Sequence, residues 1–248
     1  MVGLEAAPSG NHAHIAGTLH ADHGPVFVKG ARKEDDRDGL EVRTLRNEAR
    51  INPYVQPYAP RLLWTVEEAG WLLLGFEHVR ARHADYTPGS PDLDRLTKVL
   101  EALQAMPAPE VVTLQVERRW QPVLDDVSAM AGGTLLHADL NPANLLITPA
   151  GRPYVVDWAF TSRGAAWVEL GLLIPWLLKA GHSPGAVDAW LARFPSWTQA
   201  DANTLDQFAW AFAETWRQRS FADSATAWKA ELAALGKRWA DHRGAHRF

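Results

Sequence analysis

The sequence predicts an α+β chain of two lobes, a small antiparallel β-sheet with one helix over residues 1–79 and a mainly α-helical lobe over residues 80–248. Three observations predict it. Two β-hairpin patterns flank a single amphipathic helix within the first 79 residues. A polar, turn-rich stretch follows Val79 and marks the lobe boundary. Beyond it the apolar periodicity is helical, broken by one β-rich island from Thr134 to Val156. At 248 residues the chain is long enough to bury a core in one large domain or two modest lobes.

The elements follow in order. Residues 12–29 read as short strands around an Ala-Asp-His-Gly-Pro turn and end in Val-Phe-Val-Lys at Lys29. The charged, glycine-bounded stretch from Gly30 to Gly39 reads as a solvated loop. Val42, Leu45 and Ala49 then recur at helical spacing from Leu40 to Asn52, and Pro53 ends the run. Two apolar runs split by Glu-Glu-Ala-Gly give the second hairpin, up to Val79. Helical segments are expected near 92–105, 115–131, 166–179, 184–193, 201–218 and 223–240, with no repeat of fixed period among them.

Composition removes several function classes. With 25 basic and 29 acidic residues the net charge is −4, which gives no global field for nucleic acid or an anionic membrane. The absence of cysteine excludes disulfides, thiolate zinc sites and cysteine nucleophiles, and agrees with a reducing cytoplasm. The first ten residues lack the charged and apolar regions of a signal peptide. The longest apolar run, Leu170 to Leu178, contains Pro175 and falls far short of the roughly 20 residues that span a bilayer. A cytoplasmic protein without nucleic-acid or membrane partners is expected, with its oligomeric state left open.

The chemistry concentrates in the β-rich island. It reads Leu-Leu-His-Ala-Asp-Leu-Asn-Pro-Ala-Asn-Leu-Leu-Ile, then Pro-Tyr-Val-Val-Asp-Trp-Ala. Asp139 and Asn144 stand five residues apart, and Asp157 follows thirteen later at a strand end. An aspartate, an asparagine and a second aspartate in this order supply hard oxygen donors for Mg²⁺ and a carboxylate that can orient an attacking hydroxyl. The same chemistry asks for an upstream lysine and a helical carboxylate to hold it. Lys29 and Glu48 meet that demand nineteen residues apart. Glu48 lies about 60° around the helix from Leu45 and from Ile51, beside the buried stripe, where an unpaired carboxylate is costly.

These residues resemble those of the aminoglycoside phosphotransferase-type small-molecule kinases, which share a protein-kinase-like fold. The resemblance runs from about Asn11 to Ala180 and is most specific at His-Ala-Asp-Leu-Asn-Pro-Ala-Asn and Val-Val-Asp-Trp. It implies Asp139 as the catalytic carboxylate, Asn144 and Asp157 as Mg²⁺ ligands, Lys29 on the α- and β-phosphates of ATP or GTP, and Glu48 as the partner of Lys29. Phe27, on the strand face of Lys29, becomes a platform for the nucleotide base. Phe76, Glu77, His78 and Val79 become the interlobe hinge. The phosphate-covering loop falls around Ser9, Gly10 and Asn11. Glu169 stands where the family usually carries aspartate, and Trp158 replaces the phenylalanine that follows the metal aspartate in protein kinases.

The implied acceptor is a small hydroxylated molecule, an aminoglycoside or another antibiotic among them. Ala138 cannot pair with a phosphorylated loop as the arginine of a regulated protein kinase does, and only eleven residues separate Asp157 from Glu169. Glu169, Asp188, Asp201, Asp206 and Glu214 are available for a cationic acceptor, although each also reads as ordinary solvated surface. A kinase for a metabolite or nucleoside and a nucleotide-binding pseudokinase are the alternatives. The intact set Lys29, Glu48, Asp139, Asn144 and Asp157 argues against the pseudokinase.

Other motifs resolve physically. His12, His14, His20 and His23 have no carboxylate at a zinc spacing. His137 reads as a structural brace of the catalytic loop. Gly-His-Ser-Pro-Gly at 181–185 matches a hydrolase elbow, but Pro184 has no N–H for an oxyanion hole, so Ser183 is a helix N-cap instead. No P-loop signature occurs.

Overall fold

The computed structural model describes residues 3–6, 13–34, 37–222 and 227–244. Ser9, Gly10 and Asn11 lie outside the described residues, as does His12.

A tight hairpin sets the N-terminal sheet. Strands Ile15–Ala21 (β2) and Gly24–Arg32 (β3) pair antiparallel from Ile15↔Gly30 to Ala21↔Gly24, which leaves Asp22 and His23 as a two-residue turn. A short strand, Gly3–Ala6 (β1), adds to β2 and has no β-type signature in its sequence. Gly17 permits that approach, because a methyl group there would collide with the Glu5 carbonyl oxygen. Strands Leu62–Glu68 (β4) and Trp71–Glu77 (β5) form the second hairpin. Ala69 and Gly70 close it with φ of 49° and 77°, the pair of positive angles a type I′ turn needs. The sheet order is β1-β2-β3-β5-β4.

Helix Leu40–Ile51 (α1) covers one face of β3 and β5. Ala31, Leu72, Leu74 and Phe76 from the strands bury against Val42 and Leu45 from the helix, with Phe27, Ala49 and Leu62 packed on that cluster. Asn52, itself buried, ties the helix end to the next strand. Its amide donates to the Pro60 carbonyl at 2.8 Å and its side-chain oxygen accepts the Leu62 N–H at 2.8 Å.

The chain divides into two compact units, Met1–Ala84 with Pro109–Val112 and Ala143–Thr161, and Asp85–Ala108 with Thr113–Pro142 and Ser162–Phe248. The first unit thus includes the segment that carries Asn144 and Asp157. There, Arg82–His83 (β6), Leu145–Ile147 (β8) and Pro153–Val155 (β9) form a three-stranded antiparallel sheet.

In the second unit Thr134–Leu136 (β7) pairs with Ser162–Gly164 (β10). Its helices are Asp92–Gln104 (α2), Ala166–Lys179 (α3), Pro184–Leu191 (α4), Pro195–Thr198 (α5), Ala202–Ala222 (α6) and Ala227–Arg243 (α7). Ser183 caps α4 by accepting the Ala186 N–H at 3.2 Å, with Pro184 at the first helical position. The helix expected over 115–131 is corrected. This stretch holds only two 3-10 turns, Val116–Arg119 and Ser128–Met130. Pro122 cannot donate in a helix interior, and Asp126 takes the Ser128 N–H at 2.8 Å, a local bond that competes with helix. The aromatic residues pack around fully buried Phe208, which meets Trp120 at 4.9 Å and Trp167 at 5.2 Å, both edge-on. No helix among the described residues is long and apolar enough to cross a membrane.

Candidate active site

The first unit brings three predicted residues into direct contact. Strand alternation points Phe27, Lys29 and Ala31 to the face beneath α1, and Glu48 lies one turn past Leu45 on the helix side that faces them. The Lys29 Nζ donates to Glu48 Oε1 and Oε2 at 3.0 and 2.9 Å. It also donates to Asp157 Oδ1 at 3.1 Å, across 128 residues of sequence. The three side chains keep only 14 %, 6 % and 21 % exposure for Lys29, Glu48 and Asp157.

Burial alone would lower the Lys29 pKa, but the adjacent Glu48 and Asp157 carboxylates outweigh it and hold the ammonium above its ordinary value. Lys29 therefore remains a cation. Glu48 also accepts the Trp158 backbone N–H, so this one carboxylate fixes both the lysine and the residue after Asp157.

Asp157 sits at φ 63°, ψ 59°, in the left-handed region that costs a non-glycine residue. Its neighbours hold that turn. The Trp158 indole donates to the Val155 carbonyl at 2.9 Å, Thr161 Oγ1 donates to the Trp158 carbonyl at 2.6 Å, and the Asn47 amide donates to the Ala159 carbonyl at 3.0 Å. Asn47 was not singled out from the sequence. Its place beside Glu48 on α1 was the available signal.

Asn144 is buried and ends the 3-10 turn Pro142–Asn144 that leads into β8. Since β8 and β9 pair Leu145 with Val155, the residue before one strand faces the residue after the other. The Val156 N–H accordingly donates to the Asn144 carbonyl at 2.9 Å. Register thus places Asn144 next to the approach to Asp157. Both offer hard oxygen donors, and among the described residues no group of three His, Asp or Glu side chains forms a metal cage. An amide and a carboxylate oxygen are the hard donors that Mg²⁺ accepts beside waters and phosphate oxygens.

The remaining nucleotide-side candidates also lie in the first unit. Phe27 pairs with Phe76 in the sheet and is half-buried against the core cluster. Phe76 is buried in that cluster, Glu77 ends β5 with its N–H donated to the Arg61 carbonyl at 2.8 Å, and His78 and Val79 are half-buried in the coil that follows.

Asp139 belongs to the second unit, on the loop that leaves β7. Its N–H donates to His137 Nδ1 at 3.3 Å, and its carbonyl accepts the Asn141 N–H at 2.9 Å. His137 is fully buried. Ala138, between them, takes φ 64°. That peptide is clamped from both ends. Glu169 Oε1 and Oε2 accept the Ala138 N–H at 3.2 and 3.0 Å, and the Arg119 Nη1 donates to the Ala138 carbonyl at 3.0 Å. Glu169 reaches the loop from the first turn of α3. Arg119 arrives because the segment before it lies along β10, where the Arg163 N–H donates to the Leu114 carbonyl at 2.8 Å. Burial pushes Glu169 up to about 7, against the pull of the Ala138 and His137 N–H groups and of Arg119. Burial also lowers the Arg119 pKa, while Glu169 and Asp139 raise it. The role of Arg119 was not legible because its segment read as a helix.

A small antiparallel sheet with one covering helix, a buried lysine–carboxylate pair and a loop Asp-Leu-Asn-Pro-Ala-Asn define a protein-kinase-like phosphotransferase. The family model of the phosphotransferase enzyme family matches residues 75–202, just over half of the chain, and the protein belongs to that family of small-molecule kinases. Solved structures share the fold. Choline kinase LicA from Streptococcus pneumoniae superposes with a TM-score of 0.67 at 12 % identity, over 97 % of this chain and 94 % of its own. The aminoglycoside phosphotransferase APH(4)-Ia gives 0.64 at 14 % identity, over 95 % and 93 %. A microcompartment-associated aminopropanol kinase gives 0.60 at 17 % identity, over 99 % and 94 %. None of the curated proteins matches the sequence.

Proposed function

We propose that the protein transfers the γ-phosphoryl group of ATP or GTP, with Mg²⁺, to a hydroxyl of a small molecule. The observation that carries this reading is the Lys29 ammonium held between Glu48 and Asp157 at 2.9 to 3.1 Å. A buried cation fixed by one carboxylate and touching a second is suited to the α- and β-phosphates of a nucleotide. Phe27 is the candidate base platform, and Phe76 to Val79 the backbone that reads the base edge. Structures of APH(4)-Ia with ADP and hygromycin B and of LicA with AMP support a nucleotide donor and a small-molecule acceptor.

Asn144 and Asp157 would hold the metal. When bound, Mg²⁺ would offset the charge that spreads over the phosphate oxygens. Asp139 orients the acceptor hydroxyl and takes its proton late, as the acceptor oxygen bonds to the γ-phosphorus and the bond to the β,γ-bridging oxygen breaks. The products are a phosphate ester and a nucleoside diphosphate. His137, Glu169 and Arg119 hold the loop in place without touching reactants.

The test is acceptor-dependent ADP or GDP release across aminoglycosides, macrolides, peptide antibiotics, nucleosides and small amino alcohols, with both donors and Mg²⁺. Release above the no-acceptor background is expected with at least one acceptor. Nucleotide binding without any release would instead identify a pseudokinase.

A further inference from the structure

Three successive side chains of α1, all within the first unit, tie the helix in different directions. The Arg46 guanidinium donates to both oxygens of Asp38 at 2.6 and 3.2 Å and to both oxygens of Glu67, on β4, at 2.9 Å. Glu48 accepts from Lys29 and from the Trp158 N–H. Asn47, between them, donates its amide to the Ala159 carbonyl at 3.0 Å. Neighbouring residues on a helix point about 100° apart, so Asn47 does not share the face of Glu48.

The turn Trp158–Phe160 thus meets the helix at two points of opposite sense, an N–H given to Glu48 and a carbonyl filled by Asn47. One such bond would set the distance of the turn from α1 and leave it free to pivot. Two bonds on successive residues set its orientation as well. Asp157, the residue before the turn, depends on that orientation. Its φ of 63° is a conformation that a non-glycine residue keeps only where its surroundings impose it. Trp158 and Ala159 are buried, so water is a poor substitute for the Asn47 donor.

We infer that Asn47 is a positioning residue for Asp157, which by holding the Ala159 carbonyl sets the protein's affinity for Mg²⁺ rather than its affinity for the nucleotide. The inference rests on the reading of Asn144 and Asp157 as the residues that hold the metal. Lys29 takes two bonds from its contact with Glu48 and one from its contact with Asp157. A small rotation of Asp157 therefore leaves the lysine in place for the phosphates. Mg²⁺ tolerates such a rotation poorly, because it demands near-ideal octahedral geometry from its ligands.

Calorimetric titration of the full chain with ATP and with GTP, each with and without Mg²⁺ and with no acceptor, tests this, and the tighter-binding nucleotide serves for the variants. Mg²⁺ is expected to tighten nucleotide binding in the wild type. Asn47→Leu and Asn47→Ala lack the donor at equal and at smaller size. Each is expected to weaken Mg²⁺ binding to the nucleotide-loaded protein roughly 3- to 10-fold, the worth of one hydrogen bond, while metal-free nucleotide affinity moves less than about twofold. Asn47→Gln, which keeps the amide, is expected to recover part of the loss. Mg²⁺ affinity unchanged in both donor-less variants, or a loss that is equal with and without the metal, overturns the inference. Asp157→Ala, measured beside them, should abolish the Mg²⁺ effect. If the effect persists there, the metal reading falls and the inference with it. If Asp157→Ala abolishes the effect and the Asn47 variants do not diminish it, the inference alone falls.

Discussion

Glu169 accepts the backbone N–H of Ala138 with both carboxylate oxygens, at 3.0 and 3.2 Å, although the group is 99 % shielded from solvent. Burial raises its pKa from 4.5 to about 7. The folded protein therefore binds more protons than the unfolded chain between those two values, and stability falls as pH rises through that window. The loss is on the order of 3 kcal/mol and is complete just above neutrality. Denaturant titrations between pH 5 and 8 should show this slope in the wild type and a flatter one in Glu169→Gln. Glu169→Asp, one methylene shorter, should lower kcat by roughly 10- to 100-fold through displacement of the loop, with the nucleotide KM nearly unchanged. A kcat for Glu169→Asp equal to wild type would remove Glu169 from its positioning role.

The Lys29–Glu48 pair predicts an asymmetry between breaking a pair and replacing it. Lys29→Met leaves the Glu48 carboxylate, 6 % exposed, beside Asp157 with its cation gone. The expected loss is about 3–5 kcal/mol. Lys29→Met with Glu48→Met removes both charges and should recover part of that loss, while nucleotide affinity stays low in both variants. Burial also raises the Glu48 carboxyl above its ordinary value, so the ion pair is lost on acidification through the raised Glu48 pKa. At the alkaline end the Lys29 ammonium, held above its ordinary value by Glu48 and Asp157, is lost only as pH rises beyond the usual lysine range. Nucleotide affinity should accordingly stay flat from pH 7 to 9.5. A drop in that range that vanishes in Lys29→Arg would refute the assignment.

Asp157 and Asp139 should separate kinetically. Asp157→Ala removes the proposed metal ligand and the second partner of Lys29, so turnover is expected to vanish and Mg²⁺ dependence with it. Asp139→Asn keeps the shape of the loop but cannot take a proton, so kcat should fall about 10²- to 10⁴-fold with nucleotide affinity nearly kept. Mg²⁺ titrations monitored by nucleotide binding distinguish the two. Unchanged Mg²⁺-dependent turnover in Asp157→Ala would end the metal assignment.

The parts of this molecule that were legible in the sequence are those written in local periodicity. The Leu40–Ile51 helix announces itself through Val42, Leu45 and the stop at Pro53, and its phase turns Glu48 toward the sheet. The turn-closed hairpins place Lys29 on the same side. Contacts that join distant segments leave no such trace. The Asn47 amide bonds to the Ala159 carbonyl 112 residues away, and Glu169 bonds to Ala138 across 31. Arg119 was hidden by apolar spacing that resembles a helix over 115–131, where Pro122 and the Asp126 turn prevail. Strand Gly3–Ala6 is made by what it pairs with, since Gly17 gives Glu5 room on β2.

Gly171 offers a test of packing that is independent of the chemistry. It lies inside α3, where intrinsic propensity alone would favour alanine by about 1 kcal/mol. A methyl group there would come within 2.5 Å of Phe208 Cε1. Phe208 is fully buried and held edge-on by Trp120 and Trp167, so its ring has no free direction in which to yield. Overpacking of this kind costs about 1–3 kcal/mol, which outweighs the helical gain. With the helical gain subtracted, a net loss of up to about 2 kcal/mol should lower the Tm of Gly171→Ala by as much as about 4–8 °C in a chain of this length. Combining it with Phe208→Leu should restore part of the loss relative to Phe208→Leu alone, because the smaller side chain vacates the space the methyl enters. A higher Tm for Gly171→Ala would show that the aromatic cluster can shift, and that propensity rather than packing sets the residue at this position.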